Sequence, residues 1–231
     1  VLVLDRATVA AGATGRSSGF VRMHYDLESE SHLAALSHPY FTDWQGHVGA
    51  GDCGFVRTGF VQLVPAALEP ALRANVAMHQ RVGVDTSLIG PADLERLVPG
   101  IRTDDIGVAA YEPGSGYADP SGTAAGFLAA ARRDGARFHG SCRVERVIVA
   151  GGRVAGVETS LGRFDAPVVV DAAGAWAAQL AATVGVECDG GGEDGGTRLL
   201  DFQQQVGHAV LQRLEAAGRH AERLAGAEVV E

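Results

Sequence analysis

The sequence predicts a mixed α/β fold, and three observations support that class. The chain opens on the apolar run VLVL, which ends in Asp5 and leads into a loop rich in Gly, Ser and Thr, the pattern of a parallel strand. Several later segments repeat apolar residues at spacings of three and four, which indicates amphipathic helices. From Arg143 onward, short apolar runs are separated by glycines, which predicts a β meander.

The opening strand carries a chemical prediction. A buried strand that ends in a carboxylate is typical of the second strand of a dinucleotide-binding fold, where the acid binds a ribose. The acid normally follows a G-x-G-x-x-G turn by about 20 residues, and the amides of that turn hold the pyrophosphate. Nothing precedes Val1 in this sequence. We therefore expect the chain to start after the phosphate-binding element.

Composition excludes several classes of protein. With 231 residues, 46% of them hydrophobic and 20% charged, the chain is globular and forms one large domain or two small ones. A net charge of -9 with 19 Lys and Arg residues argues against a nucleic-acid or anionic-membrane surface. The segment from Ala166 to Val186 is weakly polar, but Pro167 and Asp171 argue against a membrane span.

The cysteines predict neither a disulfide framework nor a zinc site. Cys53, Cys142 and Cys188 are odd in number, far apart and free of C-x-x-C spacing. The first residues of the sequence show no charged region followed by a cleavable apolar core, so they give no support for secretion. A reducing cytoplasm is the predicted location, and no metal site is predicted anywhere in the chain.

The helices are predicted from periodicity and from their end residues. Pro91 and Pro120 suit a first helical turn, Asp119 is an N-cap, and Gly135 ends a helix. The predicted helices are His32 to Val48, Ala66 to Val82, Ala92 to Val98, Pro120 to Arg133, and Ala175 to Val184. Gly54 to Val64 is predicted to be extended or to form a hairpin.

The meander predicted from Arg143 has a tight turn at Gly151 and Gly152 and a second break at Gly162. Its last run, RFDAPVVVD, ends in the small-residue turn Ala172 to Gly174. The sequence then changes to a flexible acidic linker and an amphipathic helix.

Six segments in order carry a family resemblance: VLVLDR, GATGRSSGFVRMHY, GFVRTGFVQLV, YEPGSGYADP, RVERVIVAGGRVAGVET and VVVDAAGAWAAQL. Together they resemble the FAD-dependent oxidoreductases of the D-amino-acid oxidase superfamily, of the sarcosine oxidase beta-subunit and dimethylglycine dehydrogenase type. The resemblance implies a partial FAD-binding Rossmann-like domain with a β meander, plus part of an antiparallel-sheet substrate domain. The implied divisions are 1–50 (FAD-binding part), 51–118 (partial substrate domain), 119–187 (returning FAD-binding part), 188–198 (linker) and 199–231 (helical tail).

The resemblance also implies which residues bind FAD. They are Asp5, Arg6, Gly12, Thr14, Ser17, Ser18, Gly19, Val144, Ala172, Ala173, Gly174 and Trp176. Asp5 would accept hydrogen bonds from the ribose, and the backbone of Val144 would pair with the adenine. The alternatives are a solvated strand end for Asp5, an ordinary Gly/Ser loop at a helix start, and core packing for Val144 and Trp176. Non-covalent FAD is expected, because Arg16 or Ser17 matches the histidine that dimethylglycine dehydrogenases use for attachment.

Arg22 is the leading substrate-binding candidate. The matching arginine of monomeric sarcosine oxidases holds the substrate carboxylate, a task that suits a guanidinium because it binds both oxygens and stays charged. The alternative is an exposed arginine in a salt bridge. His24 and Tyr25 could line the amine site or simply pack against a helix.

The resemblance implies oxidation of a secondary or tertiary amine of an N-methylated amino acid, by hydride transfer to the flavin. The implied partners are a small amino-acid-derived amine and an electron acceptor, which is oxygen or another redox carrier. No protein nucleophile or metal is required. The alternative is a truncated, catalytically silent remnant of such an enzyme, which acts at most as an association module through exposed apolar surface.

Overall fold

The computed structural model describes residues 1–187, so the predicted linker and helical tail lie outside the described residues. The chain divides into two compact units. Within the described residues, the first consists of Val1 and Val9–Arg137, and the second of Leu2–Thr8 and residues 138–187. The domain divisions given above stay a prediction.

Helices and strands alternate along the described chain, which confirms the mixed α/β class. The strands are β1 (Leu2–Leu4), β2 (Phe20–Val21), β3 (Val56–Arg57), β4 (Phe60–Leu63), β5 (Ser87–Ile89), β6 (Ala109–Glu112), β7 (Gly116–Tyr117), β8 (Arg137–His139), β9 (Val144–Ala150), β10 (Arg153–Thr159) and β11 (Gly162–Asp165). The α-helices are α1 (Glu28–Thr42), α2 (Trp44–His47), α3 (Glu69–Arg81), α4 (Pro91–Leu97), α5 (Pro120–Arg133) and α6 (Ala177–Ala182). Short 3-10 helices cover Thr14–Arg16, Ala66–Leu68 and Gly174–Trp176.

Two antiparallel sheets of three strands each build the first unit. Their orders are β2-β7-β3 and β4-β6-β5. The segment GFVRTGFVQLV is extended and does not form a hairpin, because β3 pairs with β7 while β4 pairs with β6. Gly59, at a φ of +75°, turns the chain between the two strands and allows the change of partner.

Helix α3 covers the second of these sheets with its apolar face. Leu72 and Val76, one helical turn apart, pack with Val108 and with Ala110 of β6. A second buried cluster forms from Trp44, Val48 and Cys53. His79 lies a further three residues along the buried face of α3 and is itself fully buried. The helical spacing that buries Leu72 and Val76 thus also buries the imidazole of His79.

The predicted helix from His32 to Val48 is wrong in its second half, because two helices occur there. Helix α1 begins at Glu28 and ends at Thr42, and α2 follows after Asp43. The Asp43 side chain accepts a hydrogen bond from the Gly46 N–H, so it caps a new helix instead of continuing the old one. The N-cap predicted at Asp119 is confirmed, since its side chain accepts the Ser121 N–H.

In the second unit, β11, β10 and β9 form the predicted antiparallel meander. Strands β1 and β8 pair separately. The Arg137 N–H donates to the Val1 carbonyl, and the Asp5 N–H donates to the His139 carbonyl. Residue numbers therefore increase in the same direction along both strands, so β1 and β8 form a parallel pair.

The predicted last strand of the meander is wrong beyond Asp165. Strand β11 ends there, and Val168 and Val170 lie outside any strand with 72% and 83% of their surface exposed. Pro167 has no N–H for a strand ladder, and none of the strands within residues 1–187 pairs with this run. No helix in the described part of the chain has the length and apolar character that crossing a membrane requires.

Candidate functional site

Arg22 follows strand β2 and lies among aromatic side chains. Its guanidinium carbon is 5.8, 5.2 and 5.4 Å from the ring centroids of Phe20, Tyr25 and Phe60. These distances are typical of cation–π contact. The side chain is half-buried, and within residues 1–187 it has no carboxylate or hydrogen-bond partner. Its positive charge is therefore available to an anion from outside the protein.

The backbone on the C-terminal side of Arg22 is held by two buried side chains. Glu112 Oε2 accepts the Met23 N–H at 3.1 Å and the Ser115 hydroxyl at 2.9 Å. His79 Nε2–H donates to the Tyr25 carbonyl at 2.8 Å. Since these partners come from β6 and α3, the segment that carries Arg22 is fixed to two regular elements of the first unit.

His24 points into the interior between those two side chains. Its Nδ1 is 3.5 Å from Glu112 Oε1, and its ring centroid is 4.4 Å from that of His79. His24 Nδ1, His79 Nδ1 and Glu112 Oε1 are buried and have no hydrogen-bond partner among the described residues. His24 thus joins a buried polar cluster with Glu112 and His79, and the proposal that it lines the amine site stays a prediction.

Burial and hydrogen bonding act in opposite directions on Glu112. Burial alone raises the pKa of a carboxyl, but the contacts from His24, the Met23 N–H and the Ser115 hydroxyl outweigh it and lower the pKa of Glu112 below its ordinary value. Burial lowers the pKa of His79, partly opposed by its bond to the Tyr25 carbonyl. At neutral pH the cluster therefore contains a carboxylate and a neutral His79 imidazole.

Glu112, Ser115 and His79 were not predicted as site residues. Glu112 and Ser115 lie within the motif YEPGSGYADP, and Glu112 is the last residue of the strand AAYE, after two alanines and a tyrosine. A buried apolar strand that ends in an acid was the signal that identified Asp5, and the same signal was present here. His79 was detectable only by its place on the buried face of α3.

The predicted flavin loop lies in the first unit and is largely exposed. Thr14 belongs to a 3-10 helix, and Gly12, Ser17 and Ser18 are open to solvent. Ser17 Oγ accepts the Gly19 N–H at 3.0 Å. Gly19 has a φ of +73°, and a Cβ there would meet the Ala118 carbonyl oxygen at 2.0 Å, so this glycine is required by the fold itself.

The second unit brings Asp5, Arg6 and Trp176 into one region. Asp5 is exposed at the end of β1, and one of its carboxylate oxygens accepts the Ala7 N–H at 2.7 Å. The Arg6 guanidinium stacks 4.1 Å from the ring centroid of Trp176. Trp176 is 43% exposed, so it is not a core residue. The ribose and cofactor roles of these residues stay predictions.

The small-residue turn of the second unit is open to solvent. Ala172, Ala173 and Gly174 are exposed, and a Cβ added to Gly174 would meet no atom within 4 Å. Gly174 has a φ of +59°, so the backbone conformation itself favours glycine there, and the cofactor contact at this turn stays a prediction. Val144 is half-buried at the start of β9, which is an edge strand of the β11-β10-β9 sheet. An edge strand leaves backbone groups available to a base.

Comparison with known proteins identifies the class. Residues 1–191 match the DAO family, described as FAD dependent oxidoreductase. The chain belongs to this family, whose cofactor is FAD.

Individual relatives are more distant. The chain is 27% identical to human mitochondrial sarcosine dehydrogenase over 193 residues, covering 80% of this chain and 21% of that protein. It is 26% identical to the mouse mitochondrial pyruvate dehydrogenase phosphatase regulatory subunit over 182 residues, covering 78% and 20%. The chain thus spans about a fifth of the length of these two relatives. L-proline dehydrogenase from P. horikoshii has a similar fold, with a TM-score of 0.74 at 24% identity over 80% of this chain and 49% of that one.

Proposed function

We propose that this protein oxidises the CH–NH bond of a small N-methylated amino acid such as sarcosine. The observation that carries the proposal is the half-buried Arg22 guanidinium, which is surrounded by aromatic rings and has no anionic partner among residues 1–187. The similarity to human sarcosine dehydrogenase supports the same substrate class.

Arg22 supplies the binding energy and the orientation. A guanidinium binds both oxygens of a carboxylate through parallel N–H bonds, which fixes the direction of the amino acid as well as its position. The rings of Tyr25 and Phe60 beside it offer apolar and π surface to an N-methylated amine. The buried bonds from Glu112 and His79 to the backbone keep this arrangement in place without contacting the substrate.

FAD, when bound, accepts the hydride from the carbon next to the amine nitrogen. Asp5 would hold the ribose hydroxyls, and Gly174 and its alanine neighbours would allow the cofactor to approach the backbone. No covalent attachment is proposed. The electron acceptor is oxygen or another redox carrier.

The test uses the purified protein incubated with FAD and freed of excess cofactor. Sarcosine, N,N-dimethylglycine, glycine and a methylated amine without a carboxylate are added without oxygen, and the visible flavin absorbance is recorded. We expect the N-methylated amino acids to bleach the flavin and the amine without a carboxylate to leave it oxidised. Bound flavin that no N-methylated amino acid reduces would contradict the proposal. Admission of oxygen then separates the acceptors, since an oxidase produces hydrogen peroxide.

A second candidate function is a catalytically silent association module. Two observations favour it: one relative is named a regulatory subunit, and Val168 and Val170 expose apolar surface. The same preparation decides between the two, because a silent module would retain no flavin and would elute as an oligomer on gel filtration.

We propose a cytoplasmic location for the protein. The observation in support is that Cys53 and Cys142 are both free thiols. Immunodetection after cell fractionation tests it, and recovery in a membrane or secreted fraction would contradict it.

A further inference from the structure

We propose that His24, His79 and Glu112 form a binding site for one divalent transition-metal ion, with Zn²⁺ the best match. The three side chains come from the segment after β2, from α3 and from β6, and they are 5%, 0% and 0% exposed. Each offers one ligand atom, and these atoms all lie within 4.8 Å of one another. The proposal does not depend on the amine-oxidising function.

The strongest argument is the set of unpaired atoms. His24 Nδ1, His79 Nδ1 and Glu112 Oε1 are all buried and lack hydrogen-bond partners among the described residues, and ligand atoms of the same three side chains lie within 4.8 Å of one another. A buried polar atom without a partner destabilises a fold, and the 3.5 Å between His24 Nδ1 and Glu112 Oε1 is too long for a good hydrogen bond between these two atoms. A single cation would satisfy all of them at once.

A proton satisfies only part of the cluster. His24 could place a proton on Nδ1 and pair with Glu112 Oε1, 3.5 Å away. That arrangement leaves His79 Nδ1 without a partner, because the Nε2 of the same ring donates its hydrogen to the Tyr25 carbonyl at 2.8 Å. In the tautomer that carries its hydrogen on Nε2, the Nδ1 of His79 has a free lone pair, and a metal ion is a group that accepts it.

The outer hydrogen bonds match those of metal ligands. Histidine ligands usually donate their second ring N–H to a carbonyl or carboxylate, and ligating carboxylates are themselves hydrogen-bonded. His79 Nε2–H meets the Tyr25 carbonyl, and Glu112 Oε2 accepts from Ser115 and from the Met23 N–H. These bonds orient both side chains and leave His79 Nδ1 and Glu112 Oε1 as the atoms without hydrogen-bond partners among the described residues.

The donor set and the spacing favour Zn²⁺. Two imidazole nitrogens and one carboxylate oxygen form a common zinc ligand set, which leaves a fourth position for water. Ligands about 2.0 Å from a tetrahedral ion lie about 3.3 Å apart, close to the 3.5 Å between His24 and Glu112. Wider separations, up to 4.8 Å, must close on binding. The sequence predicted no metal site, because the three ligands are distant in sequence and only the cysteine spacings were informative.

The test uses the full chain without an affinity tag, stripped with a chelator and then incubated with Zn²⁺. We expect one equivalent of zinc to remain after gel filtration and the melting temperature to rise by several degrees. His79→Asn and Glu112→Gln should each weaken zinc binding about tenfold or more. His38→Asn is the matched control, since the half-buried His38 bonds to the Gly114 carbonyl, contacts the Phe55 ring and is not one of the three proposed ligands. It should bind zinc like the unmodified protein.

Co²⁺ provides a measurement that needs no variant. The unmodified protein loaded with Co²⁺ should show the intense visible bands of four-coordinate cobalt with nitrogen and oxygen ligands. Absence of retained zinc together with absence of those bands would overturn the proposal and leave the cluster as a His24–Glu112 ion pair. Zinc retained equally by Glu112→Gln and His79→Asn would also overturn it, because the ion would then lie elsewhere among the eight histidines of the chain.

Discussion

Glu112 Oε2 accepts a hydrogen bond from the Met23 N–H at 3.1 Å, although the two residues are 89 positions apart in the sequence. The contact fixes the peptide next to Arg22 to strand β6. A carboxylate in this position acts on the backbone, so it holds the segment whatever side chain occupies position 23. The residue proposed to bind substrate is therefore positioned by one that need not touch it.

Glu112→Gln should destabilise the chelator-treated protein by about 1–3 kcal/mol, because a neutral amide replaces a buried carboxylate that accepts two hydrogen bonds. Urea unfolding followed by circular dichroism measures the change. Glu158→Gln is the control, since its exposed pair with Arg146 should be worth less than about 1 kcal/mol. Equal effects of the two substitutions would show that the Glu112 contacts add little.

Arg22→Ala should lower kcat/KM for sarcosine about a hundredfold, the equivalent of about 2–4 kcal/mol, through loss of the carboxylate contact. Arg22→Lys keeps the charge but loses the two-point geometry, so it should also be impaired. An amine without a carboxylate should be far less affected. Arg73→Ala, which removes an exposed partner of Glu69, is the control. Equal losses for both amines would make Arg22 a structural residue.

Asp5→Ala should weaken FAD binding by about 1–3 kcal/mol, because the carboxylate would no longer accept hydrogen bonds from the ribose. Isothermal titration with FAD gives the dissociation constant. The exposed Asp165, paired with Arg163 in the same unit, supplies the control Asp165→Ala. An unchanged dissociation constant for Asp5→Ala would remove this residue from the cofactor site.

Two glycines of the predicted flavin loop should respond differently to alanine. Gly19→Ala should destabilise the protein by more than about 1–2 kcal/mol, because it combines a φ of +73° with a Cβ 2.0 Å from the Ala118 carbonyl oxygen. Gly12→Ala should leave stability within about 0.5 kcal/mol, since nothing lies within 4 Å of its added Cβ. Thermal melts compare the two. Weakened FAD binding by a stable Gly12→Ala variant would support a cofactor contact there.

Cys53 should resist alkylation in the folded protein. Burial raises the pKa of the Cys53 thiol above its ordinary value of 9.0. The folded protein therefore contains less of the reactive thiolate than the unfolded chain at the same pH. The folded form retains the proton more strongly, and stability should therefore fall as the pH rises above 9.0. Mass spectrometry of iodoacetamide-treated protein, with and without urea, measures the modification. Equal rates in the two states would contradict the prediction.

The sequence predicted elements whose signals are local. The cap at Asp119, the helix it begins and the turn at Gly151 and Gly152 depend on residues a few positions apart, and all three are present. The break at Asp43 was missed because the apolar spacing continues across it while its side chain caps a new helix. The run around Val168 was wrongly predicted to be a strand, because an apolar composition does not indicate whether a partner strand lies beside it.

In the candidate site, too, residues with a local sequence signal were predicted, whereas residues that act through long-range contacts were missed. Arg22 was found because it lies in a motif, and the structure adds that it lies among aromatic rings. Glu112 and His79 act on it from elements 90 and 57 positions later, through bonds to backbone atoms that leave no pattern in the sequence. Only the three-dimensional arrangement identifies them.

The described part of the second unit combines Leu2–Thr8 with residues 138–187, and this has a consequence for synthesis on the ribosome. Strand β1 is synthesised about 130 residues before its partner β8. At about 5–20 residues per second, the interval is on the order of 7 to 26 seconds. During that time the apolar VLVL segment lacks the strand that it pairs with among the described residues, so it is available to nascent-chain chaperones until β8 has been made.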